Sequence, residues 1–120
     1  MKLEDQVSCL SLSRRLKELG VKQESLFVWT ERDGVFSVGF SKFIGGQMMT
    51  NIMASAFTAV ELCEMLPRRM GPKLSALQFR YGLDGWMTYY TGNEIQTAKT
   101  EADSRAKMLC YLIEQKPVKP

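Results

Sequence analysis

The sequence predicts an α+β fold, formed as a single domain by residues 1–120 with elements in the order α-β-β-α-β-β-β-α. Three observations support this prediction. Two segments begin with a threonine followed three residues later by an acid, a pattern typical of helix starts. Asp-Gly dipeptides separate runs of strand-forming residues, which is typical of β-hairpins. The links between strands are short, so we expect a mostly antiparallel five-stranded sheet packed with three helices.

The first predicted helix covers residues 8–19. Leu12, Leu16 and Leu19 recur there at helical spacing, with charged residues between them. Ser8 is expected to cap its start, and Gly20 is expected to end it in the left-handed conformation.

A β-hairpin is predicted next, because strand-forming residues 26–30 and 35–40 flank Asp33-Gly34. In the second strand, Phe36, Val38 and Phe40 alternate with serine and glycine. This alternation predicts that one face of the strand is buried.

Residues 41–55 show neither a helical nor a strand period, and Gly45-Gly46 indicates a turn or a flexible tip. Met48, Met49 and Met53 belong to an apolar cluster in this segment. We expect a loop over residues 43–53, because a stretch without periodicity in a compact domain is more often functional or disordered than structural.

The second predicted helix runs from Ala59 to Leu66 and stops at Pro67. Thr58 and Glu61 have the spacing of a capping box, in which each side chain binds the other residue's backbone amide. A basic link at residues 68–73 follows. Alternating residues from 77 to 98, with turns at 84–85 and 92–93, then predict a three-stranded meander.

The last predicted helix covers residues 100–115 and opens with Thr100 and Asp103, a weaker variant of the capping box. Its expected buried stripe consists of Ala102, Ala106, Leu109 and Ile113. Residues 116–120 are expected to form a frayed tail.

Composition excludes several classes of function. The chain has no histidine, so Ser-His and Cys-His catalysis are excluded within it, and we expect a protein that is not an enzyme. Cys9, Cys63 and Cys110 are isolated in sequence and predict buried free thiols rather than a metal site. We therefore expect no cofactor and no metal. The chain shows neither a signal peptide nor a membrane-spanning stretch, which predicts a cytoplasmic protein with no membrane partner.

Three blocks of the chain resemble a group of small, uncharacterised proteins encoded by phages, prophages and bacterial mobile elements. The blocks are residues 16–27, Leu-Lys-Glu-Leu-Gly-Val-Lys-Gln-Glu-Ser-Leu-Phe; residues 55–67, with Ser-Ala-Phe-Thr, Glu-Leu and Glu-Met-Leu-Pro; and residues 100–114, with Thr-Glu-Ala-Asp, Arg-Ala-Lys-Met-Leu and Tyr-Leu-Ile-Glu. The resemblance implies a phage-like accessory protein whose localisation is the cytoplasm of a bacterial host, but it brings no activity with it.

Two groups of side chains are candidates for binding a partner. Unbranched thioether chains adapt to varied surfaces, so Met48 and Met49 could form a docking patch, although they could equally fill gaps in the core. Arg68, Arg69 and Lys73 form a basic loop, and a second basic group lies on the first helix at Arg14, Arg15, Lys17 and Lys22. A solvated helix face and a soluble loop are the more common roles of such basic residues.

Aromatic residues could add a stacking surface or an interface anchor. The candidates are Trp29, Trp86, Tyr89 and Tyr90. Neighbouring strand residues point to opposite faces, so one of the two tyrosines should point inward. The tryptophans are more typical of a core.

The leading hypothesis is a non-enzymatic accessory protein that binds a host protein, most concretely an inhibitor of a bacterial defence system such as an anti-CRISPR. A second hypothesis is a single-stranded nucleic-acid-binding protein that uses the basic clusters. A third is a sponge for nucleotide messengers, in which arginine and an aromatic ring hold phosphate and base. The sequence leaves open whether the protein is a monomer or a homodimer.

Overall fold

A computed structural model describes residues 2–41, 51–71, 75–91, 94–115 and 118–120. Within these ranges, three α-helices and two antiparallel sheets confirm the α+β class. The helices are α1 (Leu10–Glu18), α2 (Ala59–Met65) and α3 (Glu101–Glu114). A short 3-10 helix (Leu3–Asp5) precedes them. The single five-stranded sheet is wrong, because the strands form one sheet of three and one of four. The predicted element order is matched only in part, because one further strand follows the first hairpin and another follows the second helix.

The first sheet contains β1 (Phe27–Arg32), β2 (Val35–Phe40) and β3 (Asn51–Ala56) in the order β2-β1-β3. The loop predicted for residues 43–53 is wrong from residue 51 onward, where strand β3 begins, and its residues 43–50 lie outside the described residues. All three residues in the second half of β3 are buried, so the segment lacks the alternation of a half-buried strand. Its register with β1 also shifts once, which breaks the pattern further. Met48 and Met49 lie outside the described residues.

The predicted hairpin between β1 and β2 is confirmed. Asp33 and Gly34 have φ angles of 51° and 79°, as a two-residue turn with right-handed strand twist requires. The buried face predicted for β2 is wrong, because Phe36 and Phe40 remain 45% and 47% exposed. Strand β2 lies at the edge of the sheet, where only Val38 packs against the cluster around Trp29.

The second sheet contains β4 (Arg69–Met70), β5 (Ser75–Gly82), β6 (Gly85–Tyr90) and β7 (Ile95–Ala98), in chain order. The predicted meander corresponds to β5–β7. Strand β4 lies where the sequence predicts a basic link. It has only two residues, and a strand of that length leaves no periodic signal.

The main core lies between α3, α2, α1 and the second sheet. The predicted stripe of α3 is confirmed, since Ala102, Ala106, Leu109 and Ile113 are all buried. Tyr90 is buried as well, whereas Tyr89 is not, which confirms that only one of the two tyrosines points inward. Val118 packs against the same core from the C-terminal segment.

The helix starts follow the predictions in part. Thr58 and Glu61 form the full capping box at α2. At α3, Thr100 accepts from the amide of Asp103, but the Asp103 carboxylate accepts from the Cys9 amide at 2.7 Å instead of returning the bond. The carboxylate therefore joins the starts of α1 and α3.

Ser8 is not the cap of α1, because Cys9 occupies that position and makes no side-chain cap bond. Ser8 is buried instead, and its hydroxyl accepts from the Phe57 amide at 3.1 Å and lies 2.7 Å from the Ser13 hydroxyl. Its carbonyl accepts from the Trp29 indole N–H at 2.9 Å. The prediction failed because this long-range network uses the polar groups that a local cap would use.

Arg105 is a buried cation that ties three elements together. Its guanidinium carbon lies 3.8 Å from the centroid of the Phe79 ring on β5. One terminal nitrogen donates to the Ala59 carbonyl of α2 at 2.8 Å, and the other donates to Glu101 of α3 at 2.7 Å. The ring face and the carboxylate offset part of the cost of burying the charge, while the Nε of the guanidinium is buried without a hydrogen-bond partner among the described residues.

The three cysteines are free thiols, as predicted, but only Cys110 is buried; Cys9 and Cys63 are partly exposed. Burial, followed by the nearby charge of Glu114, raises the pKa of the Cys110 thiol to about 11. Burial also raises the pKa of Tyr90 to about 12.

The raised pKa of Cys110 predicts a loss of stability at alkaline pH. The folded state keeps a proton that the unfolded chain releases, so this contribution is complete below pH 9.0 and is lost as the pH rises to about 11. We expect urea unfolding to show a loss of about 3 kcal/mol from this thiol. Cys110→Ala should make the fall with pH shallower, and an equally steep fall in the variant would contradict the assignment.

Candidate binding surface

One face of the second sheet points away from α3. Leu77, Phe79 and Tyr90 face the helix and its core. Residues alternate along each strand, and directly paired residues share a face, so the remaining positions lie on the other side. We call this side the outer face. It consists of Arg69 of β4, Ala76, Gln78 and Arg80 of β5, Met87 and Tyr89 of β6, and Ile95 and Thr97 of β7.

The outer face is accessible to solvent. Gln78, Arg80 and Thr97 are exposed, Ile95 is 51% exposed, and Tyr89 is half-buried between them. Gln78 lies directly opposite Tyr89, which in turn lies opposite Ile95. Tyr89 therefore occupies the middle of a cross-strand row that contains no charged residue.

The charges of the outer face have one sign. Its charged residues are Arg69 and Arg80, and the Arg80 side chain makes no hydrogen bond or ion pair with any other described residue. The acids of this part of the chain are Asp84 and Glu94. Glu94 lines a cavity against α3. Asp84 lines a second cavity together with the start of α1 and with Thr97, which belongs to the outer face. Among the described residues that make up the outer face, the charged side chains are therefore both arginines.

Only some of the predicted site residues can be located relative to the outer face. Arg68 and Arg69 are both exposed, and pairing with Ala76 puts Arg69 on the outer face. Arg68 precedes it, and the Arg68 carbonyl accepts from the Leu77 amide at 2.8 Å. Met48, Met49 and Lys73 lie outside the described residues. Of the predicted basic loop, Arg69 is therefore the residue that lies on the outer face.

Arg80 is the residue that the sequence analysis missed. The signal lay in the alternation of β5, where apolar Leu77, Phe79 and Tyr81 leave Gln78 and Arg80 on the opposite face. The basic loop drew attention because its charges are adjacent in sequence. Arg80 is isolated in sequence, and pairing across strands is what brings it onto the same face as Tyr89.

The second predicted basic group, on and after α1, is engaged within the chain. Arg15 pairs with Glu114 at 2.7 Å and with Glu18 at 3.4 Å. The other members have neighbours too: Arg14 lies over the Phe36 ring, Lys17 donates to the Met53 carbonyl, and Lys22 pairs with Glu24. These contacts favour a structural, solvated helix face over a phosphate-binding surface.

The two tryptophans among the aromatic candidates differ in burial. Trp29 is buried against Val7 and Ala56, as expected of a core residue. Trp86 is half-buried and lines a cavity of about 350 Å³ together with Phe27 and Lys99.

This cavity does not favour a nucleotide. Lys99 shares the cavity lining with the acids Asp5 and Glu101, so the charges do not select phosphate. The threonines that line it, Thr58 and Thr100, already accept from the amides of their own helix starts. The nucleotide-messenger hypothesis therefore gains no site here.

Comparison with protein-family models, with curated proteins and with solved structures finds no match. Within the described ranges, no helix has the length and apolar character needed to cross a membrane. The same ranges hold no cluster of three or more cysteine, aspartate and glutamate side chains suited to a metal ion. The candidate function therefore depends on the outer face and on the chemistry of its residues.

Proposed function

We propose that this chain is a non-enzymatic accessory protein that binds a host protein through its outer face. The observation that supports the proposal most is the composition of that face. Tyrosine, methionine and arginine are enriched at protein interfaces, whereas lysine, glutamate and aspartate are depleted from their centres. The outer face combines Tyr89, Met87, Ile95 and two arginines, and its described residues include neither a lysine nor an acid.

The partner surface should be acidic at its edge and apolar at its centre. Arg80 lies diagonally across from Tyr89, and such neighbours are about 7 to 8 Å apart. A partner that buries the tyrosine ring would therefore bring an acceptor within reach of Arg80. Tyrosine and arginine are also the residue types that dominate binding energy at many interfaces.

The most concrete form of this proposal is an inhibitor of a bacterial defence system, comparable to an anti-CRISPR. It rests on the resemblance to phage and mobile-element proteins and on the absence of histidine. An inhibitor can act by covering a host surface and requires no chemistry of its own. A cytoplasmic location in a bacterial host belongs to the same proposal.

Arg80→Glu tests the surface. Reversal of the charge at an interface arginine should weaken partner binding by about 30-fold or more, equal to about 2 kcal/mol. The partner would first be isolated from host lysate with the tagged wild-type protein and identified. Its purified form would then be titrated with each variant by calorimetry or biolayer interferometry.

Arg32→Glu is the matched control, because Arg32 is an exposed arginine at the end of β1 in the other sheet. It changes net charge by the same amount, so it should leave the affinity close to that of the wild type. Equal weakening by both variants would show a general charge effect. Unchanged binding of both would exclude the outer face, and failure to retain any host protein would exclude the proposed function.

Single-stranded nucleic acid is the second candidate, and the proximity of Tyr89 to Arg80 favours it, because bases stack on aromatic rings beside a cation. The small number of arginines favours a protein partner, since nucleic-acid affinity derives mainly from many phosphate contacts. Two such contacts would give a slope of about −1.4 in log affinity against log salt. A labelled oligonucleotide tested with the same variants distinguishes the two candidates.

A further inference from the structure

The cavity of about 350 Å³ beside Trp86 lies where the two sheets meet. One wall comes from β1 of the first sheet, at Phe27, and another comes from β6 of the second sheet, at Trp86. The starts of α2 and α3 contribute residues 58–60 and 100–101 to the lining. The cavity has the size of a small-molecule site, since such sites occupy about 300 to 1,000 Å³.

A second aromatic ring supports each aromatic wall of this cavity. The centroid of the Phe27 ring lies 4.7 Å from that of Phe40. The centroid of the Trp86 ring lies 5.1 Å from that of Tyr81, in an edge-to-face arrangement. Val60, which is 67% exposed, adds an apolar side chain to the lining. The walls therefore suit a ligand with an apolar body.

Most polar side chains in the lining already have partners within the chain. Glu101 accepts from Arg105 at 2.7 Å, so its charge is paired. Thr58 and Thr100 accept from the amides of their own helix starts, and Gln6 is engaged as well. These groups therefore contribute little to the choice of a ligand.

Asp5 and Lys99 are the exceptions in the lining. Both are exposed, and their side chains make no hydrogen bond or ion pair with each other or with any other described residue. The cavity therefore offers one free carboxylate and one free ammonium group beside apolar walls. A ligand with a single charge would complement only one of them, whereas a ligand with both charges would complement both.

We propose that this cavity binds a small apolar amino acid, a molecule with one ammonium and one carboxylate group on an aromatic or aliphatic body. The ammonium group pairs with Asp5 and the carboxylate pairs with Lys99, while the body packs against Phe27 and Trp86. The mixture of charges that disfavours phosphate thus favours a zwitterion. Trp86 lies on the opposite side of the second sheet from the outer face, so the proposal does not depend on binding of a host protein.

Calorimetric titration with four probes that share a benzene ring tests this proposal. Two are zwitterions, L-phenylalanine with adjacent charges and para-aminomethylbenzoate with charges at opposite ends of the ring. Phenethylamine carries only the ammonium group, and hydrocinnamate carries only the carboxylate. We expect at least one zwitterion to bind about 5-fold more tightly than both single-charge probes, as one additional exposed ion pair allows.

Two variants locate the charges. Asp5→Asn should abolish the preference for the zwitterion over hydrocinnamate, and Lys99→Gln should abolish its preference over phenethylamine. Asp33→Asn and Lys119→Gln make the same charge changes at exposed residues outside the cavity lining, so both preferences should persist in these controls. The proposal would be overturned if neither zwitterion bound at its highest soluble concentration, if the preferences survived both cavity variants, or if the controls lost them equally.

Discussion

Phe57→Ala is expected to lower the free energy of unfolding by about 3 to 5 kcal/mol, the range for truncating a buried aromatic side chain. Phe57 is fully buried and directly precedes Thr58, the cap of α2. Leu62, four positions into the helix, is also fully buried in the same core. The pair therefore has the positions of a hydrophobic staple, which fixes the angle at which the chain enters a helix.

The loss should exceed that of an ordinary core truncation because residue 57 joins two parts of the fold. Its backbone carbonyl accepts from the Ser8 amide at 2.8 Å, and its amide donates to the Ser8 hydroxyl. A cavity beneath these bonds would loosen the N-terminal segment as well as α2. Amide exchange at Ser8 should become faster in the variant.

Val60→Ala is the matched control in the first turn of α2. Val60 is 67% exposed, so its truncation should change stability by no more than about 0.5 kcal/mol. Urea unfolding of both variants measures the difference. The contradicting result is that Phe57→Ala lowers the free energy of unfolding as little as Val60→Ala. In that case the core around α2 would have closed the space left by the ring, and Phe57 would not fix the start of the helix.

Local signals in the sequence were sufficient to predict the helices and hairpins. The Thr58–Glu61 box, the Asp33-Gly34 turn and the apolar stripe of α3 depend on contacts a few residues apart, and all are present. Each is decided by backbone geometry within one or two turns of chain.

The failures share a physical cause, since tertiary contacts decided each of them. Strand β3 is buried by elements distant in sequence, which removes its alternation. Ser8 uses its polar groups for Trp29 and Phe57 rather than for a cap. The sequence pattern of β2 is that of a half-buried strand, but its position at the sheet edge leaves it exposed.

The candidate surface was predictable only in part for the same reason. Arg69 was identified by its adjacent charges, whereas Arg80 becomes relevant only once β5 is paired with β6. The outer face exists because α3 covers the opposite side of the second sheet. Knowledge of which face the last helix packs on would have separated Tyr89 from Tyr90 and shown which of the two was available to a partner.

Leu109→Ala is expected to lower the free energy of unfolding by about 2 to 5 kcal/mol. Leu109 is 2% exposed and lies on the buried stripe of α3, the helix that contacts α1, α2 and the second sheet. Its truncation should therefore leave a cavity where these elements meet. The control is Glu114→Ala on the same helix, which removes a solvent-exposed ion pair with Arg15 worth about 0.2 to 1 kcal/mol.

The same measurement tests the methionine patch that the sequence predicts. Replacing Met48 and Met49 together with serine should cost less than about 1 kcal/mol if both side chains are exposed, and the double variant should bind the partner more weakly. A stability loss as large as that of Leu109→Ala would show that the two methionines belong to the core. Partner binding would then depend on the outer face alone, and Arg80→Glu would remain the decisive variant.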